Sequence, residues 1–566
     1  MANKKALLGG SQIKVENVSG FDKSRFNGFT APLGAIVPMA KQLMIPGRFK
    51  LSVKLSAQLP PLATDAFLRT HLKVEAFLVP MRLCYGGFES WYSGREIFDD
   101  NNREFARAKL PYLTFTKSSV VPSVPDAKVP DSDATNQQIF DYLFGPHSLM
   151  DYFNVKYELG VSSASDGHVS IDHFPTTEQK FNIFPHLSYA LIYDHWYRNK
   201  LIERPLFAPP DGATFFAWSL PFEAHSSRLP FALYDSTNAD NAFYWTSLLN
   251  GNLLDLRFRN YGYDYYTTAL PSAQEGNPMS VDTSGGSFTI SALRLQNALQ
   301  HFSEINQLAG PDMVQANKAR YGVDLSDGVA QRPILLGSAD FPMFTSGVEQ
   351  TAQGAGDNIS NPFAGMAARF GRAHAEGSDF VCEGNVKEPS YLMVMCSLVP
   401  EANYAHGIAH DMRLFTEEGS LVDLPVSALE NTGYEPVKAE EIYIDDEYSG
   451  EIFGYQPRYM WHKAGAVNEV HGLFRDGASL QSFVPQRVFE PGDVPQISTD
   501  FLKVKPSDLD GVMAVEGSLS QYGVMIDSAI QLFVSEPLGE SVLPSLVDPA
   551  EEHGYTVYVK RGGQSL

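Results

Sequence analysis

What this chain lacks narrows its chemistry first. It has only three cysteines in 566 residues, Cys84, Cys382 and Cys396, and no CxxC pair. That is too few for a disulfide framework, so the thiols read as small core residues of a protein kept in a reducing compartment. No apolar run approaches the roughly 18 residues that cross a bilayer, and the opening MANKKALLGGSQ has two lysines but no apolar core for a signal peptide. A soluble protein made in the cytoplasm, without membrane insertion, is expected. Charge of one sign is scarce as well: Lys plus Arg number 43 against 66 Asp plus Glu, a net charge of −23. Such a balance excludes a protein that coats nucleic acid unaided with its whole surface; any contact is local or shared with a basic partner.

Catalytic signatures are missing too. There is no GxxxxGK[ST], HExxH, GxSxG or helix-opening GxGxxG, so phosphate-loop, zincin, hydrolase and dinucleotide-binding readings lack their working residues. His406 and His410 in YAHGIAHDM have a metal-like spacing, but a glycine intervenes and the usual acidic third ligand is not in place. Asp194 and His195 are neighbours, which points them apart on a helix and gives them a structural role. No enzyme, metal or cofactor is expected.

What is present favours β-structure. Aromatics reach 12%, and 45 Gly with 36 Pro punctuate the chain at short intervals. The length exceeds the roughly 250–300 residues over which one core grows, so there is more than one domain or one domain with long insertions. In PGRFKLSVKLSAQL, Phe49, Leu51, Val53, Leu55 and Ala57 alternate with Lys50, Ser52, Lys54 and Ser56; in RTHLKVEAFLVP, Leu72, Val74, Ala76 and Leu78 do the same. Both read as strands with one wet face. Residues 390–400 and 522–538 are nearly continuous apolar runs and predict strands buried on both faces. Helices are predicted in PHLSYALIYDHWYRNKLIERP, with Ala190, Tyr193, Trp196, Tyr197 and Leu201 on one side, and in SALRLQNALQHFSEINQLAGP, where Leu295, Ala298, Leu299, Phe302 and Ile305 share a face. Residues 100–180 read as long excursions from a sheet, and the aromatic stretch 206–256 needs a partner surface. Residues 1–20, with Lys4 and Lys5, read as an arm ordered by contact with something else.

Two stretches carry candidate sites. LRFRNYGYDYYTTALP interleaves Arg257 and Arg259 with Tyr261 and further tyrosines, which suits either stacked bases with held phosphates or an aromatic packing edge with surface arginines. The stretch 440–463 runs from an acidic turn, Asp445, Asp446 and Glu447, into Phe453, Tyr455, Tyr459 and Trp461, which alternate as a half-buried strand would. The acidic group lacks the spacing of a calcium loop; a solvated turn is one reading and calcium at a subunit contact the other.

The string IFGYQPRY also resembles a signature of the major capsid proteins of the Microviridae, the small single-stranded DNA phages, the gokushovirus branch in particular. FDKSRFNGFTAPLGAIVP, YALIYDHWYRN, DYYTTALPSAQEG, ISALRLQNALQHFSEIN, RYGVDLSDGVAQRPILLGS and SEPLGESVLPSLVD resemble further blocks of that family, in the family's order from about residue 18 to 548. The chain runs on past the family's usual end, through EEHGYTVYVKRGGQSL. The resemblance implies a mainly β fold: an eight-stranded antiparallel jelly roll of the viral capsid type, with long loop insertions and a few helices. It implies an arm over 1–20, one domain over 21–566 with an insertion near 206–256 that forms a surface projection, and a carboxy-terminal extension over 549–566. It marks Trp196, Arg198, Arg332, Pro333, Phe453, Gly454, Tyr455, Gln456, Arg458 and Tyr459 as structural motif residues, and leaves Lys4, Lys5, Arg257, Arg259 and Tyr261 as candidate DNA contacts. The function implied is that of a subunit of a small T=1 icosahedral virion, assembled in the host cytoplasm around circular single-stranded DNA and presenting the host-attachment surface. Implied partners are copies of itself, the packaged single-stranded DNA, a small basic DNA-binding protein, a minor capsid or pilot protein and a host surface receptor. The rival is a secreted carbohydrate-binding or carbohydrate-active β-sandwich, which expects an export signal and facing carboxylates.

Overall fold

Alternating side chains do most of the building. The computed structural model describes most of residues 18–99, 104–115, 145–155, 179–206, 254–273, 312–349, 369–416, 423–444, 450–489 and 496–538, with a few positions between 294 and 302. The larger strands are β1 (Ser19–Asp22), β2 (Arg25–Ala31), β3 (Val37–Met44), β4 (Gly47–Gln58), β5 (Thr70–Pro80), β6 (Ile334–Pro342), β7 (Phe344–Glu349), β8 (Arg369–Val386), β9 (Ser390–Pro400), β10 (Tyr434–Lys438), β11 (Ile452–Pro457) and β12 (Val524–Glu536). Two helices matter below, α1 (Phe184–Ile192) and α2 (Met313–Tyr321). The chain is mainly β, with several helices and multiple antiparallel sheets.

Two large sheets organise the molecule. One runs β1–β12–β4–β8–β7, with β2 following β1 along the same edge of β12 in one continuing register. The other runs β6–β5–β9–β3. The pairing is nested: β2 joins β12, β3 joins β9, β4 joins β8 and β5 joins β6, so the early strands meet the late ones in reverse order. Contacts of β4 with β12 and of β5 with β9 complete the sheets. Between them the two sheets hold ten strands, because β1 precedes β2 and the short β7 is added beyond β8.

The inner faces make one core. Phe49, Leu51, Val53, Leu55 and Ala57 of β4 and Ile526, Ile530, Leu532 and Val534 of β12 share it with Leu72, Val74, Ala76 and Leu78 of β5 and Leu392, Val394 and Leu398 of β9. Each such aliphatic side chain contributes about 1.5–3 kcal/mol when fully buried. The alternation in β4 and β5 therefore appears as the sequence predicts. Every residue of β9 is buried, since Tyr391, Met393 and Met395 on its outer face enter a second core with α1. β12 differs from expectation: every second residue is buried and those between are half-buried or exposed, with Met525 and Phe533 open to solvent. Its apolar residues outnumber the positions of a single inner face, and the surplus lies outside.

α1 is buried along its whole length, its first amide tied to Asn182 Oδ1 at 3.0 Å. It then widens into a π-helical turn, Tyr193–Tyr197. Leu201, expected on its apolar side, is 40% exposed. The helix predicted near 291–309 is helical at its described positions, but Leu295 and Phe302 are exposed and not turned into a core. Most of 100–180 and nearly all of 206–256 lie outside the described residues, as do 1–17 and 539–566. No helix among the described residues is long and apolar enough to cross a membrane.

Candidate functional site

The segment after Leu254 is held by single bridges, Ala35 to Phe258 and Asn260 to Lys503. Arg259, between them, is mostly buried. Its guanidinium donates to both carboxylate oxygens of Glu75, at 2.8 and 3.1 Å, and to Ser397 Oγ at 3.1 Å, and lies 5.0 Å from the centre of the Tyr197 ring. The Tyr197 hydroxyl donates to the same Glu75. Burial and that neighbouring carboxylate push the phenol well above its ordinary range, so it stays a donor. Tyr261 is also buried and donates to Asp508 Oδ2 at 2.6 Å. Arg257 lies 5.6 Å from the Tyr193 ring centre, and its amide donates to the Tyr189 hydroxyl at 2.9 Å. The arginine–tyrosine run is thus knitted into the chain's own packing. Lys4 and Lys5 lie outside the described residues.

A second node unites residues that the sequence keeps far apart. Trp196, projecting from the π-helical turn, donates its indole N–H to the Pro333 carbonyl at 3.0 Å, and Arg332 covers its ring at 4.7 Å. Arg332 is held in turn by Asp327 at 2.8 Å and Asp312 at 3.3 Å. Asp312 caps α2 by accepting the Val314 amide at 3.2 Å, and it pairs with Lys200 at 3.1 Å. Arg198 pairs with Asp194 one turn away at 2.8 Å, which accounts for Asp194 structurally.

The third node joins the ribbon β10–β11 to the turn at 264–270. Leu270 and Tyr455 exchange both backbone hydrogen bonds at 2.8 Å, and Gln456 donates to the Tyr265 carbonyl and to Thr268 Oγ1. Gly454 packs tightly here: a Cβ would stand 3.0 Å from Ala269 Cβ and from the Leu270 carbonyl oxygen, so those neighbours would have to give way. Phe453 meets Phe501 edge to face at 4.8 Å, and Arg458 lies 3.6 Å from Glu435. One expectation is corrected here. The strand stops at Pro457; Tyr459 has φ 63° and opens a short helix, Met460–Lys463, so Tyr459 and Trp461 are not strand residues. Asp445, Asp446 and Glu447 lie outside the described residues.

Sequence reasoning missed Arg487. It is 6% exposed and surrounded by rings, 4.1 Å from Phe501, 4.5 Å from Tyr261, 5.1 Å from Phe489 and 5.7 Å from Tyr404. It donates to the Tyr404 hydroxyl at 3.3 Å, and that hydroxyl donates to Asp264 at 2.9 Å. Its one sequence signal is a cation set among Pro485, Val488 and Phe489. The two histidines of the metal-like spacing diverge: His410 Nδ1 faces Glu441 at 3.1 Å, while His406 meets Tyr443 edge to face at 5.5 Å. Among the described residues no cluster of three or more His, Cys, Asp or Glu side chains is arranged to hold a metal. These nodes clamp segments together; their cations are held by carboxylates, carbonyls and rings.

Comparison with known proteins is consistent with that. Residues 278–538 match the family model described as Capsid protein (F protein). The chain is 23% identical over 572 residues to "Capsid protein VP1" of Chlamydia phage 1, covering 88% of this chain and 91% of the relative. It is 23% identical over 259 residues to "Capsid protein VP1" of Spiroplasma virus 4, 46% of this chain and 45% of that protein. The match to "Capsid protein VP1" of Bdellovibrio phage phiMH2K is 23% over 351 residues, 54% of this chain and 62% of the relative. The chain thus spans less than two thirds of two of these three relatives and nine-tenths of the other. The sequence matches lead to one statement: this chain is homologous, at the level of the family, to the VP1-type capsid proteins of single-stranded DNA phages.

Proposed function

We propose that this chain is a shell-forming subunit whose two large sheets are the halves of a jelly roll, the eight-stranded architecture of many capsid proteins. The nested pairing carries this reading: β2–β12, β3–β9, β4–β8 and β5–β6 are the four antiparallel pairs of a long hairpin rolled into two sheets. β1 extends one strand and β7 is an addition. The long insertions fall at the turn of that hairpin, between β5 and β6, and in its returning arm, between β9 and β12.

The surface supports assembly with copies of itself. α2 buries only Val314 of its nine residues, while Met313, Tyr321, Val323 and Val329 around it are exposed. Isolated helices of that length are marginal in water, so a covering neighbour would stabilise it. In this proposal the domain spans 21–566, the arm 1–20 and the extension 549–566 reach neighbouring subunits, and the insertion near 206–256 projects to meet a host receptor. The shell is a T=1 virion that encloses circular single-stranded DNA with a small basic protein and a minor capsid or pilot protein.

The test is assembly. The full chain, expressed and purified, is expected to sediment in the megadalton range at micromolar concentration and to show closed particles of uniform diameter by negative-stain electron microscopy. A well-behaved monomer under all salt and pH conditions tried would overturn the proposal and favour a solitary β-sandwich.

A further inference from the structure

The two large sheets leave four edges, and three of them are guarded against further strands. Along the β1–β2 edge of the first sheet, β1 has only four residues, and the Thr30 carbonyl of β2 accepts the Tyr152 hydroxyl at 2.7 Å. β3, at one edge of the second sheet, carries Pro38 and Lys41. Its Met39 and Lys41 carbonyls accept side-chain N–H groups of Asn27 and Arg25, at 2.7 and 2.9 Å. β6, at the other edge, is bulged between Leu335 and Gly337, bears Asp340 and ends on Pro342. Short strands, prolines, charges and bulges are the devices by which native edges refuse another strand.

β7 has none of the last three along its middle. Its sequence FTSGVE holds no proline and no cation, and its one acid, Glu349, is the final residue. All six residues pair with β8 without a shift of register, and among the described residues β8 is its only strand partner. Phe344 is 58% exposed, and Ser346 is exposed as well. An edge of this kind is a template for a further strand.

We propose that β7 pairs antiparallel with β7 of a second copy across a two-fold axis, joining the first sheets of two copies into one. A two-fold contact needs a patch complementary to itself. An open antiparallel edge meets that need, because each copy brings both the free backbone groups and the strand that fills them. The charges agree: antiparallel pairing sets the two Glu349 residues at opposite ends, so the only charges of the two strands do not face each other. The axis passes between two copies of one residue, and centring it on Ser346 keeps the exposed Phe344 inside the overlap, 344–348 against 344–348. Such an overlap buries far less than the roughly 1,200 Å² of a specific interface that stands alone. The pairing therefore holds inside an assembly whose other contacts bring the copies together. In that respect it rests on the shell reading, whose icosahedral symmetry supplies two-fold axes.

The test is a disulfide across the axis. The three native cysteines are buried, so a thiol introduced by Ser346→Cys is the one offered at the surface of the described residues. In this register the two copies of residue 346 have Cα atoms about 4.5–5.5 Å apart, within reach of a disulfide. Oxidised under assembly conditions, S346C is expected to run as a dimer on a non-reducing gel, while His471→Cys, at another exposed position, stays a monomer. F344K sets a lysine on the edge; it is expected to raise the concentration needed for particles at least tenfold and to leave the melting temperature of the single chain unchanged. Absence of the S346C dimer, an equal yield of dimer from H471C, or assembly of F344K at the parent's concentration would each overturn the contact. An edge covered instead by the chain's own residues 350–368 or 539–566 gives the first of these results. Particles without the crosslink sink the β7 pairing and leave the shell reading standing; S346C dimers of a chain that never forms particles do the reverse.

Discussion

Arg259 and Glu75 close a two-point ion pair, 2.8 and 3.1 Å, across 184 positions of sequence, with both side chains more than four-fifths buried. Removing one partner leaves the other charge uncompensated. Glu75→Ala is expected to destabilise the chain by about 3–5 kcal/mol, whereas the paired replacement Glu75→Met with Arg259→Met stays much closer to the parent. Denaturant midpoints of the two variants check this; equal losses would contradict it.

Gly371 on β8 lies under the loop after β4. A Cβ there would stand 1.8 Å from the Thr64 carbonyl oxygen and 2.9 Å from Leu62 Cβ. Gly371→Ala must push backbone aside, at about 1–3 kcal/mol or more. A lowered melting temperature is expected, and an unchanged one would show that the loop yields freely.

His186 on α1 is 2% exposed; burial, with Lys41 adding to it, lowers its pKa to about 3. The folded value lies below the unfolded one near 6.5, so as pH falls beneath 6.5 the unfolded chain takes up the proton first. Stability from this residue is intact above pH 6.5 and is lost by about 1.4 kcal/mol per unit as pH falls toward 3. Urea midpoints at pH 7.0, 5.5 and 4.5 are expected to fall less steeply in His186→Phe than in the parent. Parallel slopes would refute the assignment.

The three thiols are buried, and burial pushes Cys84 and Cys396 up to about 12 and Cys382 up to about 11. Neutral iodoacetamide should leave the native chain unmodified and label all three cysteines in denaturant. Mass spectrometry reads the outcome; rapid native labelling of any of them would contradict the packing.

How far the residues announce this structure depends on distance along the chain. The alternation in Phe49–Ala57 and Leu72–Leu78 needs only neighbours i and i+2, and both strands stand where that pattern puts them. The unbroken apolar run of 390–400 has a helix against its outer face, and it too is read correctly. The equally apolar run of 524–536 misleads, because its outer face carries Met525 and Phe533 with nothing in the described chain to cover them. Tyr459 misleads for a local reason: its left-handed backbone breaks a period that composition alone continues. Arg259 and Tyr261 depend on acids 184 and 247 residues away, and Arg487 on the Tyr404 hydroxyl 83 residues back, which no spacing rule contains.

β12 sits inside the first sheet, between β1 with β2 on one side and β4 on the other, although it is the latest in sequence of the described strands. Until its residues leave the ribosome, β1 and β2 lack the strand they pair with and the sheet has a gap between them and β4. Closure therefore waits until the chain is made past residue 536 and joins segments about 500 residues apart, a slow, non-local step. A prematurely terminated chain cannot present a finished surface, so the topology itself keeps broken products out of any assembly this protein enters.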